Sequence, residues 1–475
     1  MEPSSLSYAE PSIVTLTILS GFLLLLNVVN YGLDKLLYCG LIGQVFLGIA
    51  WGAPGANWLP FSVQEAIMQI GYIGLILIVY EGGLSISFKT LKANLVLSAA
   101  VAAAGVAVPM ALSFTLCSIA SASQVQAFAA GAALCSTSLG TTFTILSTSG
   151  MSSTRLGVVL TSAAMMDDVV GLIMVQIVSN LGDGDLRPIT IVRPIMVSIG
   201  FAVLAPAVSR FVVIPTTLYL NKAREEHPDT KLDRLMRKPE TALTIHTVLL
   251  LGLVTGGTFA GTSSLFAAYI AGATVSWWDS EVPHITLRNA SEDQSLSDSP
   301  ACADAISSTS GLNIYGRYYS VAVERLLKPF FFASIGFSVP VTKMFAKPVV
   351  WRGMVYTILM AAGKMTCGIW FLFFHSAAGV SLYPAYIVAL AMIARGEIGY
   401  LISALAESSG TFGRGVDADE PSELFLIVTW AITLCTILGP IGVGLLVSRV
   451  RRLEENGKKG QQPARMEILG AWGVS

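Results

Sequence analysis

Two adjacent acids, Asp167 and Asp168, lie in the middle of a long apolar segment and are the residues best suited to chemistry. The segment reads LGVVLTSAAMMDDVVGLIMVQIVS (156–179) and carries no other charge. A carboxylate at the centre of a bilayer costs at least about 2.5–3.5 kcal/mol on insertion scales, so it usually serves a function. The pattern predicts a site that binds and releases a cation or protons. The alternative is a structural pair held neutral by protonation and hydrogen bonding.

A single lysine, Lys364, stands in a second apolar segment, within AAGKMTCG. It lies about nine residues, or ~14 Å of helix, from Val355 near the start of that segment. A lysine buried this deeply needs an acid, and either Asp167 or Asp168 can supply it. The alternative is a tilted helix in which the lysine reaches the headgroups.

Two further segments carry polar groups at mid-depth, and both groups are typical of interrupted helices. One is CSTSLGTT (135–142), a run of hydroxyls around a glycine that can free backbone carbonyls. The other is Arg395-Gly396-Glu397. Hydroxyls bonded back within an intact helix, and a self-contained Arg–Glu pair, are the alternatives. Paired interrupted helices in inverted halves indicate a secondary transporter with its site at the midplane.

The composition indicates a membrane protein made of many such segments. Of 475 residues, 53% are hydrophobic and 12% are charged, about half the charge of a soluble domain. Counting runs of about 20 apolar residues predicts thirteen spans. They are about 12–30, 36–57, 63–82, 91–119, 124–148, 154–180, 190–220, 241–259, 262–278, 318–339, 348–378, 382–407 and 423–448. The predicted fold is an all-α polytopic membrane protein.

The distribution of charge predicts the topology and the partners. Basic residues cluster in the connector 221–240 and in the tail 451–475, so the N-terminus is predicted outside and the C-terminus in the cytoplasm. Residues 1–450 form the predicted transmembrane domain, and residues 279–316 a polar cytoplasmic loop. The net charge of −1 predicts no nucleic-acid partner. Dispersed histidines and cysteines predict neither a bound metal nor any other cofactor.

Five stretches carry a resemblance to a known family: CSTSLGTTFTIL (135–146), AMMDDVVGLI (164–173), LKPFFFASIGFSV (327–339), AAGKMTCG (361–368) and MIARGEIGYLI (392–402). In the sequences of these stretches and in their order, the chain resembles the monovalent cation:proton antiporter-2 family. It resembles a eukaryotic-type member with a short tail. The resemblance implies the NapA-like fold of about thirteen helices, with inverted repeats and two broken crossing helices. It also implies a core and a dimerisation subdomain, and a homodimer.

The resemblance further implies roles for individual residues. Asp168 matches the acid that carries the cation or proton, and Asp167 the acid that pairs with Lys364. Thr137 matches a cation-binding threonine. The remaining matches support the broken helices, and they are Ser136, Ser138, Thr141, Arg395 and Glu397. The only metal expected at Asp167 and Asp168 is therefore the transported alkali cation.

The predicted function is secondary antiport, in which a monovalent cation is exchanged for protons. Na⁺ is the first candidate for the cation, and K⁺ or Li⁺ is the next. The exchange is predicted to be electrogenic. One alternative is a channel or a proton-coupled carrier of organic anions on the same scaffold. Two acids and one lysine give the site a net negative charge, which favours a cation as the substrate. A second alternative is an intramembrane aspartyl protease, suggested by Gly182-Asp183-Gly184-Asp185. That string is predicted to be a loop turn, because Gly and Asp are ordinary turn residues, so the protein is predicted not to be an enzyme.

Overall fold

The architecture is helical throughout the part of the chain that the computed structural model describes. Those residues are 10–37, 40–138, 146, 151, 154–182, 188–227, 230–236, 238–282, 310–373, 382–413, 420–459 and 472. The main helices are α1 (Ile13–Leu37), α2 (Gly40–Trp51), α3 (Phe61–Leu84), α4 (Leu95–Ser113), α5 (Gln124–Ala133), α6 (Arg155–Leu181), α7 (Pro188–Val208), α8 (Pro239–Ala260), α9 (Ser264–Glu281), α10 (Lys328–Phe337), α11 (Lys347–Met365), α12 (Tyr383–Ala391), α13 (Glu397–Ser408) and α14 (Glu423–Lys459).

Shorter helical pieces connect or extend these helices. Two π-helical turns, Ser209–Val213 and Val323–Leu327, follow α7 and precede α10. The remaining pieces are Phe88–Ala93, Leu116–Ile119, Ile214–Glu226, Lys231–Met236, Gly311–Tyr318, Ser320–Ala322, Val341–Met344, Thr366–Gly368 and Ile369–Phe373.

Many of the helices are long and apolar enough to cross a membrane. Within the described residues, eight meet both criteria, from Ile13–Lys35 near the start to Glu423–Val450 near the end. The predicted all-α polytopic class is therefore confirmed. The predicted number of thirteen spans stays a prediction, because helices such as α2, with 12 residues, are short.

The helices pack as two groups. The first contains α1, α2, α3, α8, α9 and α10, and the second contains α4, α5, α6, α11, α12, α13 and α14. Helix α7 contacts α6 in the second group and α9 in the first, so it joins the two. Asp167, Asp168 and Lys364 all belong to the second group.

The predicted breaks lie in the second group, where two interrupted segments meet. Helix α5 ends at Ala133 and is followed by non-helical backbone as far as Ser138. Helix α12 ends at Ala391 and α13 begins at Glu397. The Ser138 N–H donates to the Ala394 carbonyl across 3.0 Å, so the segments touch at their breaks.

A glycine permits this close crossing. A Cβ at Gly396 would lie 2.7 Å from the Ser138 Cβ, a distance that real side chains do not reach. The predicted site residue Thr141 lies outside the described residues, so the structure places only one side of the first break.

The predicted polar loop and tail are partly helical. Helix α9 runs on to Glu281 and the next helix begins at Gly311, which shortens the loop at both ends. Residues 283–309 lie outside the described part of the chain, as do residues 183–185 of the protease-like string. Helix α14 continues to Lys459, so the first nine residues of the predicted tail extend the last helix.

Candidate functional site

Asp167 lies at the centre of a saturated hydrogen-bond network. Its side chain and that of Lys364 are both 0% exposed, and Lys364 Nζ lies 2.7 Å from Asp167 Oδ2. The Thr137 hydroxyl donates to the same oxygen over 2.6 Å and accepts from Lys364 Nζ over 2.8 Å. The Thr137 backbone N–H donates to Asp167 Oδ1 over 3.2 Å. Both carboxylate oxygens of Asp167 are therefore engaged, and one of them is paired with the lysine.

Asp168 has a different environment, although it is the next residue on α6. It is also buried, with 5% of its surface exposed. Among the described residues, its Oδ1 atom has no hydrogen-bond partner. Neighbours on a helix point about 100° apart, so the contacts of Asp167 are out of reach for Asp168. A buried carboxylate oxygen without a partner is unfavourable on a bare anion, so a proton or a cation beside it is stabilising.

Arg395, which lies in the second helix break, connects it to the first. It is fully buried, and its Nη1 atom donates to the Ser136 carbonyl over 2.9 Å. Its own carbonyl accepts from the Thr436 hydroxyl of α14 over 2.9 Å. Arg395 thereby satisfies a buried backbone carbonyl in the non-helical stretch that follows α5. Ser136 and Ser138, which flank Thr137, are buried at the same crossing.

Glu397 is half-buried at the first position of α13, where a negative charge is favoured by the helix dipole. Among the described residues, Arg395 and Glu397 form no ion pair, because the arginine turns toward Ser136. The alternative of a self-contained Arg–Glu pair is therefore not what the structure shows. Arg395 and Glu397 lie at one crossing but face different groups.

Sequence reasoning missed the pocket that holds the lysine ammonium. A Cβ built at Gly105 of α4 would lie 3.2 Å from Lys364 Nζ and 3.2 Å from Cys367 Sγ. It would also lie 3.3 Å from Met392 Cε. The absent side chain therefore makes room for the ammonium. Gly105 stands in a run of small residues, so nothing in the sequence distinguishes it from a packing glycine.

Gly105→Ala is expected to lower stability by about 1–2 kcal/mol, because the added methyl group displaces Lys364 from Asp167. The matched control is Gly256→Ala in α8, where nothing lies within 4 Å of the new Cβ. That change removes a helix glycine without a clash and is expected to be neutral or stabilising. Thermal unfolding of both purified variants makes the comparison. Equal stability of the two variants would contradict the tight fit around Lys364.

A cavity of about 570 Å³ lies between the two groups of helices, alongside α6. Val158, Met165, Met166 and Val169 of α6 line one wall, so the cavity runs along α6 as far as the residues that flank Asp167 and Asp168. Opposite wall residues on α7 and α9 include Pro206, Tyr269 and Trp277. Side chains with hydroxyl groups are interspersed among the apolar ones, and they are Ser85, Ser87, Thr161, Ser162, Ser209 and Thr274.

A polytopic helical protein whose interrupted helices meet beside buried charges has the architecture typical of secondary transporters. The family model described as the transmembrane part of sodium/hydrogen exchangers matches residues 15–449. The chain therefore belongs to the sodium/hydrogen exchanger family. This is a family of transporters, so the match confirms the prediction that the chain is not an enzyme and disfavours the protease alternative.

Individual relatives agree with the family. The chain is 33% identical over 166 residues to the high-affinity Na⁺/H⁺ antiporter NhaS3 of Synechocystis sp., a match that spans 34% of this chain and only about a third, 36%, of that protein. It is 21% identical to the Na⁺/H⁺-K⁺ antiporter GerN of Bacillus cereus, over 84% of this chain and 87% of that protein.

A solved structure shares the fold. The sodium proton antiporter MjNhaP1 of Methanocaldococcus jannaschii superposes with a TM-score of 0.57 at 15% identity. The match covers 92% of this chain and 99% of that one. At this identity the likeness shows the fold alone, and it confirms the predicted antiporter architecture.

Proposed function

We propose that the chain exchanges a monovalent cation for protons at Asp168. The observation that carries the proposal is the contrast between the two acids. Asp167 is neutralised by Lys364 at 2.7 Å, whereas buried Asp168 keeps an unpartnered oxygen among the described residues. A site with one uncommitted carboxylate takes one positive charge at a time, which is the requirement for competition between a proton and a cation. The names of the relatives support Na⁺ as the first candidate and K⁺ as the second.

The network around Asp167 supports a second step in the proposed cycle. A dehydrated alkali ion needs several oxygens, and Asp168 supplies at most two. In this structure the Thr137 hydroxyl is engaged by both Asp167 and Lys364. The proposal is that an arriving cation also attracts Asp167 and Thr137, so that Lys364 is released and sheds a proton. Exchange would then be electrogenic, because more than one proton balances one cation.

The packing supports alternating access by relative movement of the two groups. We propose that the group with Asp168 is the core subdomain and that the group with α1 to α3 and α8 to α10 is the dimerisation subdomain of a homodimer. The cavity of about 570 Å³ between them is the proposed route of the cation to Asp168. Movement of the core along α7 and α9 would close this route and open one on the other side.

The proposed orientation places the C-terminus in the cytoplasm. The connector 221–240 and the helical end of α14 with its tail each carry six basic residues. Basic residues favour the cytoplasmic side when they lie close to the spans. On this orientation Val158 and Arg155 lie at the cytoplasmic end of α6, so the cavity is the cytoplasmic route. Labelling of single cysteines introduced near Lys238 and Lys458, in intact cells, checks this orientation.

The test is proton flux in proteoliposomes that contain a pH-sensitive dye, with Na⁺, K⁺ and Li⁺ added in turn. The expected result is cation-driven proton movement with Na⁺ most effective and none with choline, which is too large for the site. A membrane-potential dye in the same vesicles tests whether the exchange moves net charge. Ion currents without coupled proton movement would favour a channel, and a response only to organic anions would favour a carrier of that class.

A further inference from the structure

Trp472, close to the C-terminus, lies far along the chain from the acids but packs against the helix that carries them. Its side chain is 3% exposed. The ring centroid lies 4.8 Å from that of Phe371, with the planes inclined by 48°. The guanidinium carbon of Arg155, the first residue of α6, lies 4.7 Å from the centroid of the Trp472 ring. That distance is within the range of a cation–π interaction.

The contact belongs to a wider apolar surface. Trp472 forms part of one buried cluster with Leu97 of α4, Leu156 of α6 and Val447 of α14. These residues and Phe371 come from helices of the group that holds Asp168. We call the surface formed by Leu97, Arg155, Leu156, Phe371 and Val447 the Trp472-binding face. The indole fits this face by its chemistry, because the face offers aromatic and aliphatic groups together with a cation.

Arg155 connects the Trp472-binding face to the cavity that runs along α6. Val158 lines the cavity, and it follows Arg155 by three residues on the same helix. Residues three apart are neighbours on one helix face, separated by about 4.5 Å along the axis. The Arg155 side chain is exposed, so only its contacts hold it in place. Trp472 therefore fixes a positive charge about one turn from the lining of the cavity.

We propose that docking of Trp472 is an autoinhibitory contact that lowers cation access to Asp168. The inference rests on the proposed function, with the cavity as the route of the cation. A fixed positive charge near a cavity lowers the local concentration of cations, and salt screens this effect. When Trp472 leaves the Trp472-binding face, Arg155 is free to turn away, and this obstacle is removed.

The experiment compares the Na⁺ concentration at half-maximal proton flux in wild type, Trp472→Ala, Arg155→Ala and the double variant. At an ionic strength of about 0.01 M, Trp472→Ala is expected to lower this concentration by roughly two- to fivefold. Arg155→Ala should lower it similarly, and Trp472→Ala should add little in the Arg155→Ala background. Choline chloride at about 0.5 M should abolish most of the difference through screening.

Two controls separate regulation from damage to the fold. Trp472→Phe keeps an aromatic ring over Arg155 and should remain close to wild type. Trp351→Ala removes a tryptophan that is 69% exposed near the start of α11, and it should change nothing. Unchanged half-maximal Na⁺ in a folded Trp472→Ala protein overturns the inference, as do fully additive effects of the two alanine changes. Wild-type protein without cation-driven flux overturns the proposed function first, and the inference with it.

Discussion

Asp168→Asn is expected to reduce cation-driven proton flux to the level of empty vesicles. Asparagine has nearly the shape of aspartate, but it neither carries a proton across the membrane nor neutralises a bound cation. Since Asp168 Oδ1 has no hydrogen-bond partner among the described residues, the substitution breaks no contact of that atom. The loss of stability should therefore be about 0.5 kcal/mol or less. Such a loss keeps the melting temperature within a few degrees of wild type. The measurement is dye-detected proton flux with Na⁺, K⁺ and Li⁺.

Asp168→Glu is the matched control, because it keeps the carboxylate and moves it by about one methylene length. Some cation-dependent flux is expected to remain in this variant, with a changed half-saturating cation concentration. Appreciable cation-dependent flux in Asp168→Asn would contradict the assignment of Asp168 as the carrying residue. Loss of flux together with loss of folded protein would place Asp168 among the structural residues instead.

Lys364→Ala is expected to cause the largest loss of stability, about 3–5 kcal/mol. The lysine is fully buried, and it donates to Asp167 over 2.7 Å and to Thr137 over 2.8 Å. Removing it leaves the Asp167 charge buried without its main partner, which is more damaging than the loss of one contact. Flux that remains should move less charge per cation, because Lys364 no longer contributes a proton. Thermal unfolding in detergent and a membrane-potential dye measure the two effects.

A double variant tests the cause of this instability. Asp167→Asn combined with Lys364→Met removes both charges and keeps side chains of similar volume, so much of the lost stability should return. Thr137 can still donate its hydroxyl to the amide oxygen at position 167. If the double variant is as unstable as Lys364→Ala, the buried charge is not the reason for the loss. If Lys364→Ala unfolds at the wild-type temperature, the ion pair is not important for folding.

The class of the protein and most residues of the candidate site could be predicted from the amino-acid sequence alone. Charges are expensive in a bilayer, so Asp167, Asp168 and Lys364 stand out from their apolar surroundings without any structure. The hydroxyl run 135–142 and the Arg395–Glu397 pair indicated two interrupted helices, because polar groups are also unfavourable in a bilayer. The helical interruption between Ala391 and Glu397 is what this pattern predicted. The crossing at which Ser138 contacts Ala394 was implied by the family resemblance.

The pairing within the site was decided only by the tertiary structure. From the residues alone, either acid was a possible partner for Lys364, and a resemblance to a family was needed to choose. Asp167 and Lys364 are 197 positions apart, and they meet because α6 and α11 both pack against α4. Nothing local marks Gly105 as the space for an ammonium group, or Trp472 as a residue that returns to Arg155. Such contacts depend on the distances between helices. Apolar periodicity predicts which face of a helix is buried, but it does not predict which helix packs against that face.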